Sequence, residues 1–202
     1  MTSIDSVTLE VADTAAAAAF YTTAFDLDSR VRFRTSDAPS SGFRGFTLSL
    51  ITSQPANAQA LFDAAVSAGA TVLQQAKKSM WGFGGVVQAP DGAIWNLATS
   101  AKKDSAPASR EFDSIVLLLA GDDVGASKRF YEERGFPIAK SFGSYVEFKL
   151  PQSPIGLGLY TRKALAKASA VSPEGSGSHR LIVNSAAGPF TDPDGFVWEQ
   201  PA

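Results

Sequence analysis

Three observations predict an α+β fold built from two tandem modules. The stretch Ala89-Pro90-Asp91-Gly92-Ala93-Ile94-Trp95-Asn96 has a second copy at the end of the chain, Asp192-Pro193-Asp194-Gly195-Phe196-Val197-Trp198-Glu199. An opening strand and a helix ending in Phe-Tyr also occur twice, residues 7–11 to Phe20-Tyr21 and residues 115–119 to Phe130-Tyr131. Between the copies, residues 100–110 (SAKKDSAPASR) have the composition of a linker. Repetition of this kind sets the architecture before any single residue does. The reading is a first domain over residues 1–99, a linker over 100–111 and a second domain over 112–202.

Each element has a local reason. Residues 4–11 alternate, with Val7, Leu9 and Val11 on one face and Ser6, Thr8 and Glu10 on the other, the pattern of a half-buried strand. Asp13 or Thr14 can cap the helix that follows, in which Ala17, Phe20, Tyr21, Ala24 and Phe25 form one apolar stripe. Residues 29–35 alternate Val31 and Phe33 with Arg30, Arg32 and Arg34, a basic row that suits a solvated face or an anion. A strand over 46–52 and a helix over 57–68 stopped by Gly69 come next, then strands near 71–75, 82–88 and 93–98. The second half opens with a strand at 113–119 and a helix over 123–134 stopped by Gly135. Strands at 138–142, 145–150 and 155–160 follow. Residues 163–178 read as a weakly apolar stretch in place of a second helix, and a strand at 179–184 precedes the Pro-Asp-Gly hairpin.

Composition removes several function classes. The 202 residues, 45% hydrophobic, are enough for a buried core. A formal charge of -2 with dispersed basic residues gives no field for nucleic acid or an anionic membrane. No apolar run approaches the ~20 residues of a membrane span, and no secretory leader opens the chain, so a cytoplasmic location is expected. Zero cysteines exclude disulfides and thiolate chemistry, and the single histidine, His179, excludes a multi-histidine metal site within one chain. No Gly-x-Ser-x-Gly elbow or phosphate loop is present.

The order of these parts resembles the vicinal oxygen chelate superfamily, the glyoxalase and bleomycin-resistance proteins. It is carried by the strand, the helix ending in Phe-Tyr, Gly135-Phe136, Trp81-Gly82 and the twice-occurring Pro-Asp-Gly strand, over residues 4–99 and 112–200. The resemblance implies βαβββ modules whose curved mixed sheets enclose a cleft. Both halves are shortened relative to that pattern, the first between Thr35 and Phe46 and the second by its second helix. The two halves are therefore expected to complete each other.

Enzymes of that superfamily hold a divalent metal with histidines and glutamates, three protein ligands leaving open positions for substrate. The resemblance puts the usual first-strand histidine on Ser6 and Ser114, and the usual closing glutamate on Glu199, with Asn96 as its counterpart. His179 falls opposite Thr47, off the expected ligand position. The only candidate donors are then His179 and Glu199, to which Glu10 or Glu147 could be added by a shared site. No catalytic residue, metal or cofactor is assigned. The ligand-binding candidates are Ser6, Thr8, Glu10, Arg32, Trp81, Asn96, Ser114, Tyr145 and Glu199. Strand parity makes Trp95 and Trp198 core residues and leaves Trp81, set among glycines, for a ligand. The expected function is metal-free binding of an apolar or aromatic small molecule by a monomer or homodimer. The alternatives are a metal-dependent lyase, isomerase or dioxygenase using Glu199, and a non-catalytic interaction scaffold.

Overall fold

The alternation of the strands and the caps of the helices carry directly into three dimensions. The structure is a computed structural model and describes residues 2–201. The first half runs β1 (Ser6–Val11), α1 (Thr14–Phe25), β2 (Val31–Thr35), β3 (Ser40–Gly42), β4 (Phe46–Ile51), α2 (Pro55–Ser67), β5 (Thr71–Ser79), β6 (Gly82–Gln88) and β7 (Ile94–Thr99). The second runs β8 (Ser114–Gly121), α3 (Val124–Glu133), β9 (Ile138–Phe142), β10 (Tyr145–Phe148), β11 (Ile155–Thr161), α4 (Arg162–Ala168), β12 (Gly175–Gly177), β13 (Leu181–Asn184), β14 (Phe190–Thr191) and β15 (Val197–Glu199). Asp13 caps α1 by accepting from the Ala15 and Ala16 amides, and Asp123 caps α3 through Ala126. None of the described helices is long and apolar enough to cross a membrane.

Both main sheets are assembled from the two halves. The smaller has the order β14-β15-β13-β1-β2, and the larger β5-β6-β7-β4-β8-β11-β10-β9. In the smaller, β1 pairs antiparallel with β13 of the other half; in the larger, β4 pairs antiparallel with β8. A third, two-stranded sheet joins β3 to β12 across the halves. A side chain on Gly175 there would collide with the Phe43 carbonyl, so this crossing requires glycine.

One continuous apolar core joins the halves. It gathers Val7, Leu9, Phe20, Tyr21 and Phe25 with Leu48, Leu50, Trp95, Ile115, Leu117, Tyr131, Leu181 and Trp198. Trp95 and Trp198 are 0% and 1% exposed, as strand parity requires. Gly85 shows how tightly α2 is seated on β6. A methyl group at that position would lie 2.7 Å from two ring carbons of Phe62 and 2.9 Å from the Ala76 Cα. Gly85→Ala is expected to lower stability by about 1–3 kcal/mol, since backbone on one side cannot yield. An unchanged urea midpoint would show that Phe62 moves aside freely.

Three sequence expectations change. The stretch after β11 holds a helix, α4, capped by Thr161 Oγ1 on the Ala164 amide. At 7 residues it is too short to show a period, and it packs on the face of the larger sheet opposite α2. The segment between Thr35 and Phe46 contains β3, whose Ser-Ser-Gly has no alternation and whose partner lies far along the chain. Residues 104–109 are pinned against the start of α2. Gln54 Oε1 accepts from the Ser105 and Ala106 amides, Asn57 Oδ1 from Ser109, and Asp104 from Ala56.

Candidate functional site

Turned away from α1, α2 and α3, the inner face of each main sheet carries one row of side chains where strands of both halves meet. In the smaller sheet that row is Ser6 on β1, Asn184 on β13 and Glu199 on β15, consecutive partners in the pairing. In the larger it is Val116 on β8, Ser49 on β4 and Asn96 on β7. The two rows are counterparts, so Ser6 corresponds to Val116. This corrects the alignment of Ser6 with Ser114, which lies two residues earlier and pairs with Ile51 at the end of the strand. By the same register His179 corresponds to Arg44, and not to Thr47.

The smaller row is closed by its own hydrogen bonds. Ser6 Oγ and Thr8 Oγ1 both donate to Asn184 Oδ1, at 3.2 and 2.9 Å. Arg34 on β2 donates from Nη2 to Glu10 Oε1 at 2.9 Å and from Nη1 to Glu199 Oε1 at 3.3 Å. One guanidinium thus serves two carboxylates, and its proton is held more firmly than usual, chiefly through the Glu10 hydrogen bond. Arg32 turns its Nε to the Ser29 carbonyl at 3.4 Å. Arg30 pairs with Asp28 at 2.9 Å, so the basic row faces no common anion. A cavity of about 270 Å³ beside this row is lined by Glu10, Arg34, His179, Ile182 and Val197, among others.

His179 is committed elsewhere. Its Nδ1 faces the Arg44 carbonyl oxygen at 2.5 Å and its Nε2 the Asp194 carbonyl oxygen at 3.0 Å. The ring stacks on Phe196 with centroids 3.9 Å apart. Both nitrogen positions are taken by main-chain acceptors, so the ring clasps the two halves together. Among the described residues no three His, Asp or Glu side chains gather as a metal-ligand set. Glu199 and Glu10, bridged by a guanidinium, are not a donor set for a divalent cation, which wants its carboxylates and a neutral imidazole to itself.

The larger face has another character. Val116, Leu118, Gly156 and Gly158 form its floor, with Asn96 as a half-buried polar group donating to Thr47 Oγ1 and Ser49 Oγ at 3.2 Å. Tyr145 and Tyr160 stand as a wall with ring centroids 4.7 Å apart. Gly158 lets them close in, since a Cβ there would lie 2.9 Å from Leu118 and 3.2 Å from Tyr145. Burial, then the neighbouring Glu147 carboxylate, pushes the Tyr145 phenol up to about 12. At one end α4 lays Leu165 and Ala166 onto Phe43, Val86, Ile94 and Ala120, with Leu118 and Tyr160 alongside. A cavity of about 270 Å³ opens beside that plug, lined by Phe43, Gln88, Ile94 and Val171 with neighbouring residues.

The nine ligand candidates therefore separate. Ser6, Thr8, Glu10, Arg32 and Glu199 belong to the smaller sheet, while Asn96, Ser114 and Tyr145 belong to the larger. Trp81 stands at the tip of the β5–β6 hairpin, 83% exposed. Tyr160 was missed, although its pairing with Tyr145 across the sheet marks it once the strand order is known.

No protein-family profile and no curated protein sequence matches the chain. Among solved structures, a single-residue mutant of glyoxalase I from Zea mays superposes with a TM-score of 0.61 at 14% identity, covering 98% of this chain and 91% of that one. Another crystal structure of glyoxalase I from Zea mays gives 0.59 at 14% identity, over 92% and 75%. A putative dioxygenase from Bacillus subtilis subsp. subtilis str. 168 gives 0.56 at 11% identity, over 90% and 69%. At these identities the likeness is one of fold.

Proposed function

Starting from a chain that has the vicinal oxygen chelate fold, we propose that it is a metal-independent binding protein for an apolar or aromatic small molecule, held on the inner face of the larger sheet. The observation that carries this reading is the composition of the two rows. One contains Ser6, Asn184 and a Glu199 bridged to Arg34; the other, Val116, Ser49 and Asn96, contains no ionisable donor. An apolar floor, two tyrosine rings and a single amide is the ordinary make-up of a small-molecule site. The rings offer stacking and edge contacts, and Asn96 fixes orientation by one or two hydrogen bonds. Binding here needs no bond-making step.

Two measurements test the proposal together. Protein purified without chelator is expected to contain far less than one zinc, nickel, iron or manganese per chain, with no change on Glu199→Ala. In a thermal-shift screen of aromatic compounds, a ligand at ~100 times its dissociation constant adds ~2.7 kcal/mol of stability. Val116→Asp, which places a carboxylate in the floor, is expected to abolish that shift while leaving the unliganded fold intact. Near-stoichiometric metal that disappears on Glu199→Ala would sink the reading in favour of a metal-dependent enzyme.

A further inference from the structure

Met80 and Trp81, at the turn between β5 and β6, are 79% and 83% exposed. Neither contributes to the core, and Phe83 lies half-buried just behind them. Lys77 and Lys78 precede the turn on β5, both exposed. The end of β7 abuts it, because a Cβ at Gly82 would lie 2.8 Å from the Ser100 Cα. Lys102 and Lys103, also exposed, follow a few residues on. The nearest carboxylate in that segment, Asp104, is turned onto the Ala56 amide at 2.7 Å. Lysines that stand apart along the sequence, in a chain whose formal charge of -2 gives no overall field for a membrane, are thus brought together locally by the fold, four of them around the most exposed tryptophan.

From this arrangement we infer that the β5–β6 tip is a docking point for an anionic lipid surface. An indole ring settles at the headgroup level, its apolar body inward and its N–H toward water, and Met80 adds apolar area beside it. Each lysine near an anionic bilayer contributes about 1 kcal/mol, which is roughly a fivefold gain in partitioning. The apolar tip and the basic cluster supply the two signals that reversible attachment needs. A protein partner suits the site poorly, since a hairpin tip offers far less than the ~800 Å² per side of a standard interface. The lysines on β5, the edge strand, also discourage sheet-to-sheet pairing with a second copy.

Trp81 reports on its own insertion, because Trp95 and Trp198 are 0% and 1% exposed. Phosphatidylcholine vesicles with and without phosphatidylserine are the probes, read by tryptophan emission and co-sedimentation. With phosphatidylserine the protein sediments and its emission moves to shorter wavelength; with phosphatidylcholine alone neither happens, and added salt reverses the binding. Trp81→Ser removes the emission shift, and Lys77→Glu or Lys78→Glu lowers partitioning at least about fivefold each. All three variants keep the parent unfolding midpoint, as the side chains are exposed. Equal partitioning to both vesicles, or binding untouched by these variants, overturns the inference. So does an emission shift that depends on protein concentration in the absence of lipid, which marks self-association.

Discussion

Expressed alone, a fragment of residues 1–103 is expected to show no cooperative unfolding transition. In that fragment β1 and β2 lose β13 and β15, and β4 loses the strand that pairs with it over six positions. Val7, Leu9, Leu48 and Leu50 are each 0–1% exposed in the whole chain, in a core built from both halves. Uncovering four such side chains costs about 6–12 kcal/mol, comparable with the ~5–15 kcal/mol that holds a whole protein folded. The fragment should give featureless near-ultraviolet circular dichroism and poorly dispersed amide resonances. Adding residues 104–202 in trans should restore both. A monomeric fragment with a sharp urea transition would show instead that the first half is a domain in its own right.

Stability is expected to fall steeply as the pH rises past about 10. Tyr21 donates to Asp91 Oδ2 at 2.9 Å and accepts from Trp95 Nε1 at 3.2 Å; Tyr131 donates to Asp192 Oδ2 at 2.5 Å. Burial first, and the facing carboxylate second, push both phenols well above 10.0. The other two of the chain's four tyrosines, Tyr145 and Tyr160, are raised as well, each chiefly by burial. A raised folded-state pKa means that above pH ~10 the unfolded chain has released protons the folded chain still holds. The slope of unfolding free energy against pH is then negative, up to about 1.4 kcal/mol per pH unit for each fully shifted group. For the buried Tyr21 and Tyr131 together this approaches about 2.7 kcal/mol per unit. Urea titrations between pH about 9 and about 11 measure the slope, and tyrosinate absorbance should stay absent until the protein unfolds. Tyr21→Phe and Tyr131→Phe should each remove about half of that buried contribution. Tyrosinate absorbance developing in the folded protein near pH 10 would contradict the account.

Much of this architecture was readable because it depends on short-range regularities. The β1 and β2 alternation, the Asp13 cap, the glycine stops at Gly69 and Gly135 and the buried parity of Trp95 and Trp198 all rest on local rules. The rows were harder. Asp5-Ser6 and Asp113-Ser114 match by identity and draw Ser6 onto Ser114, yet pairing across the sheets joins Ser6 to Asn184 and Val116 to Ser49. The Phe-Tyr pairs already held the correct register, since Phe20 follows Ser6 at the same spacing as Phe130 follows Val116. The helix α4 escaped because 7 residues carry no readable period, and its seat on Val86 and Ile94 is a matter of tertiary position. Likewise nothing in the sequence near His179 points to the Arg44 carbonyl that its ring meets.

The sharing of each sheet between the halves has an evolutionary meaning. Identical subunits clasped about a two-fold axis must repeat every substitution at both of their clefts. Here the equivalent surfaces belong to one polypeptide, so position 199 can keep a glutamate while position 96 carries an asparagine, and α4 can fill part of one recess without touching the other. Each cleft is free to drift under its own selection. A binding surface can then be remade on one side of the molecule while the other continues to serve as an unaltered part of the frame.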